Sequence, residues 1–372
     1  MNCLHLCNDY LGSKVHTLLY RHLEKLNVRQ TVFVPLRQGK EQKASTHDYF
    51  HSERTTVVFS SILKHYHRVF FRQKVNYLYD SLTSQLDVRE FDIVSASTLY
   101  SDGFLAFKLN EQFKLPYIVA VRSSDVDVFM RVRPDLVRIL HKILNSAKQI
   151  IFISKGVRNK FFDRIGDNES YRLKSRIIHN GIDNFWLDNR HHSLTTLPKR
   201  LLYVGSLIKR KNIDRTIRAV LALNQKHGMA LSLGIVGDGG YFSKKVRSYA
   251  SRFPEINYFG LIQDKNELKT IYRQHDIFIM PSYRETFGLV YVEALTQGLS
   301  LIIGRGEGVD GMFDEVAVKV NPFSVKAIEN GILTALTAHN AAEIEKVDLV
   351  AFNWADIGKD YFELLKLYKD EK

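Results

Sequence analysis

Short apolar runs recur along the first half of the chain, separated by longer stretches with helical spacing. They are Cys3–Cys7, Thr31–Val34, Thr56–Phe59, Phe91–Ser95, Tyr117–Val121, Gln149–Ile153 and Arg176–Ile178. Continuous apolar strands that alternate with helices predict a parallel sheet covered on both faces. From Asp188 to Lys199 the pattern lapses into Asn, Arg, His, Ser, Thr and Pro, which reads as a linker. Alternation then restarts with Leu201–Val204, Leu233–Val236, Tyr258–Gly260, Ile277–Met280 and Leu299–Ile303. Between the first two of these, Ile213, Ile217, Val220 and Leu221 keep helical spacing behind Asn212, expected as the N-cap, with Asp214 in the first turn.

The expected fold class is therefore α/β, with two doubly wound, Rossmann-like domains facing each other across a cleft. The first spans 1–187, a linker spans 188–199, and the second spans 200–351. A helix over 352–372 carries the stripe Phe352, Trp354, Ile357, Tyr361, Leu364, Leu365 and Tyr368, which packs locally or returns to the first domain. Open α/β sheets bind ligands beyond the carboxyl ends of their strands, so the glycine-rich turns are expected there.

Composition agrees with this picture and adds charge. A chain of 372 residues, 45% hydrophobic and 25% charged, suits two ordinary globular domains. No apolar run reaches the roughly 18 residues of a membrane span. The start, Met1-Asn-Cys-Leu-His-Leu-Cys7-Asn-Asp9, lacks the features of a signal peptide, so a cytoplasmic location is expected. Cys3 and Cys7 lie on one strand-like segment with His5 between them, and they read as buried thiols rather than a disulfide or zinc site. The net charge of +13 calls for an anionic partner: nucleotide, nucleic acid or anionic lipid.

The densest chemistry lies in Glu285-Thr-Phe-Gly-Leu-Val-Tyr-Val-Glu293, directly after the strand Ile277–Met280 and Pro281. A strand, a glycine turn and a helix leave free N–H groups for a phosphate, with a carboxylate on each side to grip hydroxyls. Further motifs follow the same order of strand and turn. They are Val204-Gly-Ser-Leu-Ile-Lys-Arg-Lys-Asn212, Val236-Gly-Asp-Gly-Gly240, Phe259-Gly-Leu261 and Gly304-Arg-Gly-Glu-Gly-Val309. A glutamate pair with seven residues between them, in this company, resembles the retaining family 4 glycosyltransferases of the GT-B fold.

That resemblance implies a donor site in the second domain. Gly205, Ser206, Lys211, Gly237, Asp238, Gly239, Leu261, Ile262, Glu285, Phe287, Gly288, Leu289 and Glu293 are its expected members. Lys211 and the helix start at Phe287 to Leu289 would contact the diphosphate. Glu293 would accept the ribose hydroxyls, Glu285 would hold the sugar, and Leu261 and Ile262 follow the strand where the family seats the base. The family usually has an arginine where Ser206 stands, so one phosphate cation is either missing or supplied by Lys209 or Arg210. In the first domain, Asn8, Gly12, Ser13 and Lys14 form the expected loop beside donor sugar or acceptor. Arg122 and Asp125 take the place of a family histidine, as catalytic candidates beside Glu285 and Lys211 or as a structural ion pair. His179-Asn-Gly-Ile-Asp183 matches a turn of the family, read as structural.

The implied reaction is retaining transfer of a sugar from a nucleoside diphosphate sugar to a glycan or lipid-linked acceptor, in cell-surface polysaccharide synthesis. No Asp-x-Asp metal motif is read after a strand, so no metal and no cofactor are expected, and cationic side chains and helix N-termini would stabilise the leaving diphosphate. The segment Ile62–Tyr79 reads as a basic amphipathic helix, either packed on the core with a solvated basic face or lying on an anionic membrane surface at the inner face. A sugar-nucleotide epimerase or sugar phosphorylase of the same fold is the rival enzyme. A nucleic-acid binder is suggested by charge alone, and neither a basic-aromatic RNP motif nor paired zinc ligands support it, so nucleic acid is not an expected partner.

Overall fold

Two all-parallel sheets, of seven and six strands, organise the chain. The computed structural model describes residues 1–39, 51–192 and 198–370, so positions 193–197 of the expected linker and the last two residues of the expected C-terminal helix segment lie outside the described residues. The chain divides into two compact units: Met1–Ile153 with Val157–Gly181 and Trp354–Lys372, and Ser154–Gly156 with Ile182–Asn353.

In the first unit, β1 (Asn2–Leu6), β2 (Arg29–Val34), β3 (Thr55–Phe59), β4 (Ile93–Ala96), β5 (Tyr117–Val121), β6 (Gln149–Phe152) and β7 (Ser175–Ile177) lie in the order β3-β2-β1-β4-β5-β6-β7. In the second, β8 (Arg200–Val204), β9 (Ser232–Val236), β10 (Ile256–Gly260), β11 (Ile277–Met280), β12 (Ser300–Gly304) and β13 (Ala317–Val320) lie in the order β10-β9-β8-β11-β12-β13. Both orders reverse beside the first strand of their unit, between β1 and β4 and between β8 and β11. A crevice forms at such a switch point beyond the carboxyl ends of the strands. The loops after β1 and β8, which carry Asn8 to Lys14 and Gly205 to Lys211, start at those two crevices.

The central strands β4, β5, β6, β11 and β12 are buried along their whole length, which explains their unbroken apolar runs. β13 had no such run to announce it: it is an edge strand whose Lys319 pairs with Asp310 at 2.8 Å and Asp314 at 2.9 Å. Cys3 and Cys7 are free and fully buried, and burial pushes the Cys7 thiol up to about 12.

Two local expectations need correction. Asn212 stands at the N-cap of the helix Ile213–His227, but with a left-handed backbone and no capping bond from its side chain. Its amide instead donates to the carbonyls of Pro281 at 3.0 Å and Pro322 at 2.5 Å, which ties the loop after β8 to the loop after β11. The segment Ile62–Tyr79 is not one helix. A 3-10 turn over His65–Arg68 precedes the helix Phe71–Thr83, so the predicted apolar side splits: Leu78 packs inside, while Ile62, Tyr66, Val69 and Phe70 stand exposed.

The helix Trp354–Tyr368 belongs to the first unit, where Trp354, Ile357, Tyr361, Leu364 and Leu365 join Tyr20, Leu23 and β1 in one core cluster. Gly358 is required there, since an added Cβ would fall 2.8 Å from the His22 Cβ. Among the described residues no helix is long and apolar enough to cross a membrane.

Candidate active site

In the second unit Lys211, Arg210 and Glu307 meet at Glu285. This glutamate lies between β11 and the helix Leu289–Thr296 and is buried. Lys211 Nζ reaches its Oε2 at 2.5 Å, and Arg210 Nη1 stands 3.8 Å from the same oxygen. Glu285 Oε1 accepts the Thr286 N–H at 3.2 Å, and the Glu285 N–H donates to Glu307 Oε2 at 2.9 Å. The chain then enters the helix through Phe287, Gly288 and Leu289. The first N–H groups of such a helix have no intrahelical acceptor and attract anions. One cluster thus offers two cations, a helix N-terminus and a carboxylate.

Glu293 lies in the second turn of that helix. It is part-buried with its carboxylate enclosed, and Tyr272 donates to its Oε2 at 3.4 Å. Burial raises its pKa to about 7, against the opposing pull of the Tyr272 hydrogen bond; Asp183 adds to the rise and Lys265 counters it.

Three glycine turns lock the neighbouring strand ends together. Gly237 has φ of 130°, and an added Cβ would stand 2.1 Å from the Gly205 carbonyl oxygen, so only glycine fits. The Gly237 N–H donates to the Gly260 carbonyl at 2.7 Å, which sets Leu261 and Ile262 beside this turn. Asp238 holds the turn rather than standing free: its carboxylate accepts the Gly239 N–H at 2.8 Å and pairs with Arg247 at 3.0 Å. Ser206 is exposed, and its carbonyl accepts the Tyr203 hydroxyl at 3.0 Å. Of the two cations expected to replace the arginine there, Lys209 Nζ lies 4.4 Å from the centre of the Tyr241 ring, while Arg210 joins Glu285.

The first unit has its own polar network at its switch point. Asp102 Oδ2 accepts the Asn8 N–H at 3.2 Å and the hydroxyls of Ser97 and Thr98 at 2.9 Å each. Arg122 Nε donates to the Ser97 carbonyl at 3.0 Å. Asp125 Oδ2 accepts the backbone N–H groups of Arg122 at 2.9 Å and Leu99 at 3.2 Å. Asp125 therefore binds the backbone of Arg122, not its guanidinium. Burial raises the Asp125 pKa to about 6, opposed by those two N–H groups. Asn8, Arg122 and Asp125 are brought together here. Gly12 and Ser13 do more local work: an added Cβ at Gly12 would meet Asp9 Oδ1 at 2.2 Å, and the Ser13 hydroxyl accepts the Val15 N–H at 3.4 Å at the start of the helix Lys14–Lys25. Lys14 is exposed.

The reading that no Asp-x-Asp follows a strand passed over Asp125-Val-Asp127, only a few residues beyond β5. The pair falls in a π-helical turn, Asp125–Phe129. Asp125 is committed to two backbone donors, and Asp127 Oδ1 stands 3.9 Å from Lys160 Nζ. Among the described residues no group of three or more His, Cys, Asp or Glu is placed to hold a metal ion.

Sequence reasoning missed Asp102, Glu307 and Gly308. Gly308 packs against the catalytic candidate, since a Cβ there would lie 2.7 Å from the Phe287 carbonyl oxygen and 3.0 Å from Glu285 Cγ. The glycine-rich Gly304–Val309 was the available signal. The signal for Asp102 was its place in Thr98–Gly103, just beyond the carboxyl end of β4.

Comparison with known proteins gives the family of both parts of the chain. Residues 13–184 match Glycosyltransferase Family 4, and residues 185–345 match Glycosyl transferases group 1. An uncharacterized glycosyltransferase of Methanocaldococcus jannaschii is 21% identical over 307 residues, covering 76% of this chain and 77% of the relative. The O-antigen chain mannosyltransferase B of Escherichia coli is 25% identical over 242 residues, covering 61% of this chain and 63% of the relative. Among solved structures, Anabaena HepE in complex with UDP is similar with a TM-score of 0.70 at 16% identity, over 99% of this chain and 100% of that one, which speaks for a shared fold.

Proposed function

Since the chain belongs to the glycosyl transferases of group 1 and family 4, retaining enzymes that draw on a nucleotide sugar, we propose that it passes the sugar to a glycan or lipid-linked acceptor in polysaccharide synthesis, without a metal ion. The observation that carries this reading is the cluster of Lys211, Arg210 and the N-terminus of the helix Leu289–Thr296 around Glu285.

In this proposal the second unit, with residues 200–351, binds the donor. Lys211, Arg210 and the N–H groups at Phe287 to Leu289 take the diphosphate and its growing charge as the glycosidic bond breaks. Glu285 accepts hydroxyls of the transferred sugar and fixes its orientation. Glu293 accepts the ribose hydroxyls, and Leu261 and Ile262 lie under the base beside the Gly205, Gly237, Asp238 and Gly239 turns. With those cations in place the leaving phosphate can draw the acceptor proton, so attack comes from the face it leaves. That front-face route retains configuration and needs no protein nucleophile.

The first unit, residues 1–187 in the expected partition, binds the acceptor. Asn8 with the Gly12 to Lys14 loop contacts acceptor or donor sugar, and Arg122 steadies an anionic group, with Asp125 as its positioning residue. Mannosyl transfer onto O-antigen by the E. coli relative supports a polysaccharide acceptor. The HepE complex supports uridine diphosphate sugars among the donors to try first.

The test is a thermal-shift screen of nucleoside diphosphate sugars, followed by transfer assays on glycan and lipid-linked acceptors. Release of nucleoside diphosphate should require acceptor, and the product should keep the donor's anomeric configuration. An epimerised sugar formed without acceptor would instead favour the epimerase reading.

A further inference from the structure

A pocket of about 210 Å³ opens in the first unit beyond the Arg122 network. Arg37, Lys64, Arg68, Lys74 and Arg133 line it together with two histidines, and no carboxylate is among its described lining residues. Arg37 follows β2, Lys64 follows β3 and Arg133 follows β5, so the pocket stands at the carboxyl edge of the sheet, where α/β folds bind ligands.

Among the described residues its cations are short of counter-charge. Asp135 pairs with Arg133 at 2.7 Å, but Arg37 donates to a neutral amide, Asn8 Oδ1, at 3.0 Å, and the buried Lys74 donates to a hydroxyl, Ser101 Oγ, at 2.6 Å. An ammonium taken out of water whose hydrogen bond goes to a hydroxyl is unfavourable, Asp102 acts on it only as a charge without a hydrogen bond, and an anion on the pocket side would relieve it further. Burial and the nearby Arg37 lower the Lys74 pKa to about 8, against the opposing pull of the Asp102 carboxylate. His67 adds a donor: its Nδ1 accepts the Lys64 N–H at 3.0 Å, which leaves Nε2 to carry the proton.

Several convergent N–H donors of high charge suit a phosphate, with its three or more oxygens, better than a single carboxylate. The pocket is also wired to the acceptor loop. Arg37 holds Asn8 directly, and Lys74 holds Ser101, next to the Asp102 that accepts the Asn8 N–H. Beside the pocket the exposed Ile62, Tyr66, Val69 and Phe70 offer apolar surface to an amphiphilic carrier.

We propose that this pocket binds a phosphate or diphosphate group of the acceptor, an assignment that rests on reading the first unit as the acceptor-binding one. The test titrates inorganic pyrophosphate into protein already saturated with UDP or GDP, whichever binds, so that the donor diphosphate site is filled. A second binding event is expected, weakened about tenfold or more by Lys64→Glu with Arg68→Glu. Both side chains are exposed, and circular dichroism checks that the fold survives.

Two sources of phosphate are then separated with phosphatidylcholine vesicles with and without a polyprenyl phosphate, and with a soluble hexose phosphate. Binding confined to the vesicles that carry the polyprenyl phosphate assigns a lipid source; binding of the hexose phosphate assigns a soluble one; either supports the pocket. Absence of the second event, its persistence in the double variant, or equal binding of citrate would overturn the proposal. Failure of every nucleoside diphosphate to bind would instead sink the donor-site reading. Pyrophosphate titration of wild type against the double variant would still decide the pocket.

Discussion

Lys211 Nζ lies 2.5 Å from Glu285 Oε2, so the proposed phosphate cation and the proposed sugar-binding carboxylate are partners of each other before a donor arrives. Their side chains are only 12% and 6% exposed, which leaves neither free to swing into water. Each therefore holds the other in position, and loss of one partner leaves the other charge buried, a change of about 3–5 kcal/mol in comparable pairs.

A double-mutant cycle should expose this coupling. Glu285→Ala is expected to lower kcat by about 10²–10³-fold while the protein remains folded, the scale seen when one group that stabilises a transition state is removed. Lys211→Ala should raise the KM for donor as well. The double variant should lose less than the product of the two effects, because the pair acts together. Steady-state kinetics decides: unchanged turnover in Glu285→Ala would sink its assignment.

With Glu293 as the proposed ribose acceptor, nucleotide binding should depend on pH. Its folded pKa of about 7 lies above the usual 4.5, so the free protein holds a proton there that the unfolded chain has released. Between those two values the unfolded state binds fewer protons, so this group's contribution to stability falls as pH rises. The carboxylate form is also the better acceptor for ribose hydroxyls. Nucleoside diphosphate affinity should therefore rise severalfold from pH 6 to pH 8. Glu293→Gln should flatten that component in calorimetric titrations, which separates it from ionisation of the nucleotide itself. A variant with the full wild-type pH dependence would remove Glu293 from the ribose site.

Gly308→Ala asks whether Glu285 is positioned from behind. The new methyl would crowd the Phe287 carbonyl and Glu285 Cγ at a residue whose φ of 48° already disfavours a side chain. A fall in kcat of about tenfold, with a loss of about 1–2 kcal/mol in stability, is expected. Chemical denaturation and kinetics on the same preparation would show it.

Much of this was legible because parallel strands buried on both faces leave unbroken apolar runs, as Tyr117–Val121 and Ile277–Met280 do. Glu285 and Glu293 could be placed because a strand, a glycine and a helix fix them in sequence. β13 stayed hidden because an edge strand with a lysine looks like a loop. The break at Val69 and Phe70 stayed hidden because periodicity cannot see a 3-10 turn before a helix. Asp102 and Glu307 reach their partners only through tertiary contacts, at Asn8 and at the backbone of Glu285.

Asp125 separates positioning from chemistry most sharply. Its carboxylate accepts two backbone N–H groups, and its pKa of about 6 lies above the usual 3.8, so its charged form is carried against a burial penalty. Asp125→Ala strands both donors and should lose about 2–6 kcal/mol at pH 4, since each unsatisfied buried group is worth about 1–3 kcal/mol, and the deficit should shrink towards pH 6 as the wild type itself loses stability. Asp125→Asn keeps an oxygen for them and removes the charge. Because the folded state holds the proton between pH 3.8 and 6, the wild type loses stability across that window as pH rises, and Asp125→Asn should gain on it there and keep the gain above pH 6. Thermal denaturation at pH 4, 6 and 8 reads this. If Asp125 works only through Arg122, Asp125→Asn should also retain most of kcat and leave the KM for donor unmoved. A large loss of kcat in this stable variant would show that the carboxylate touches substrate, and Asp125 would then count as catalytic.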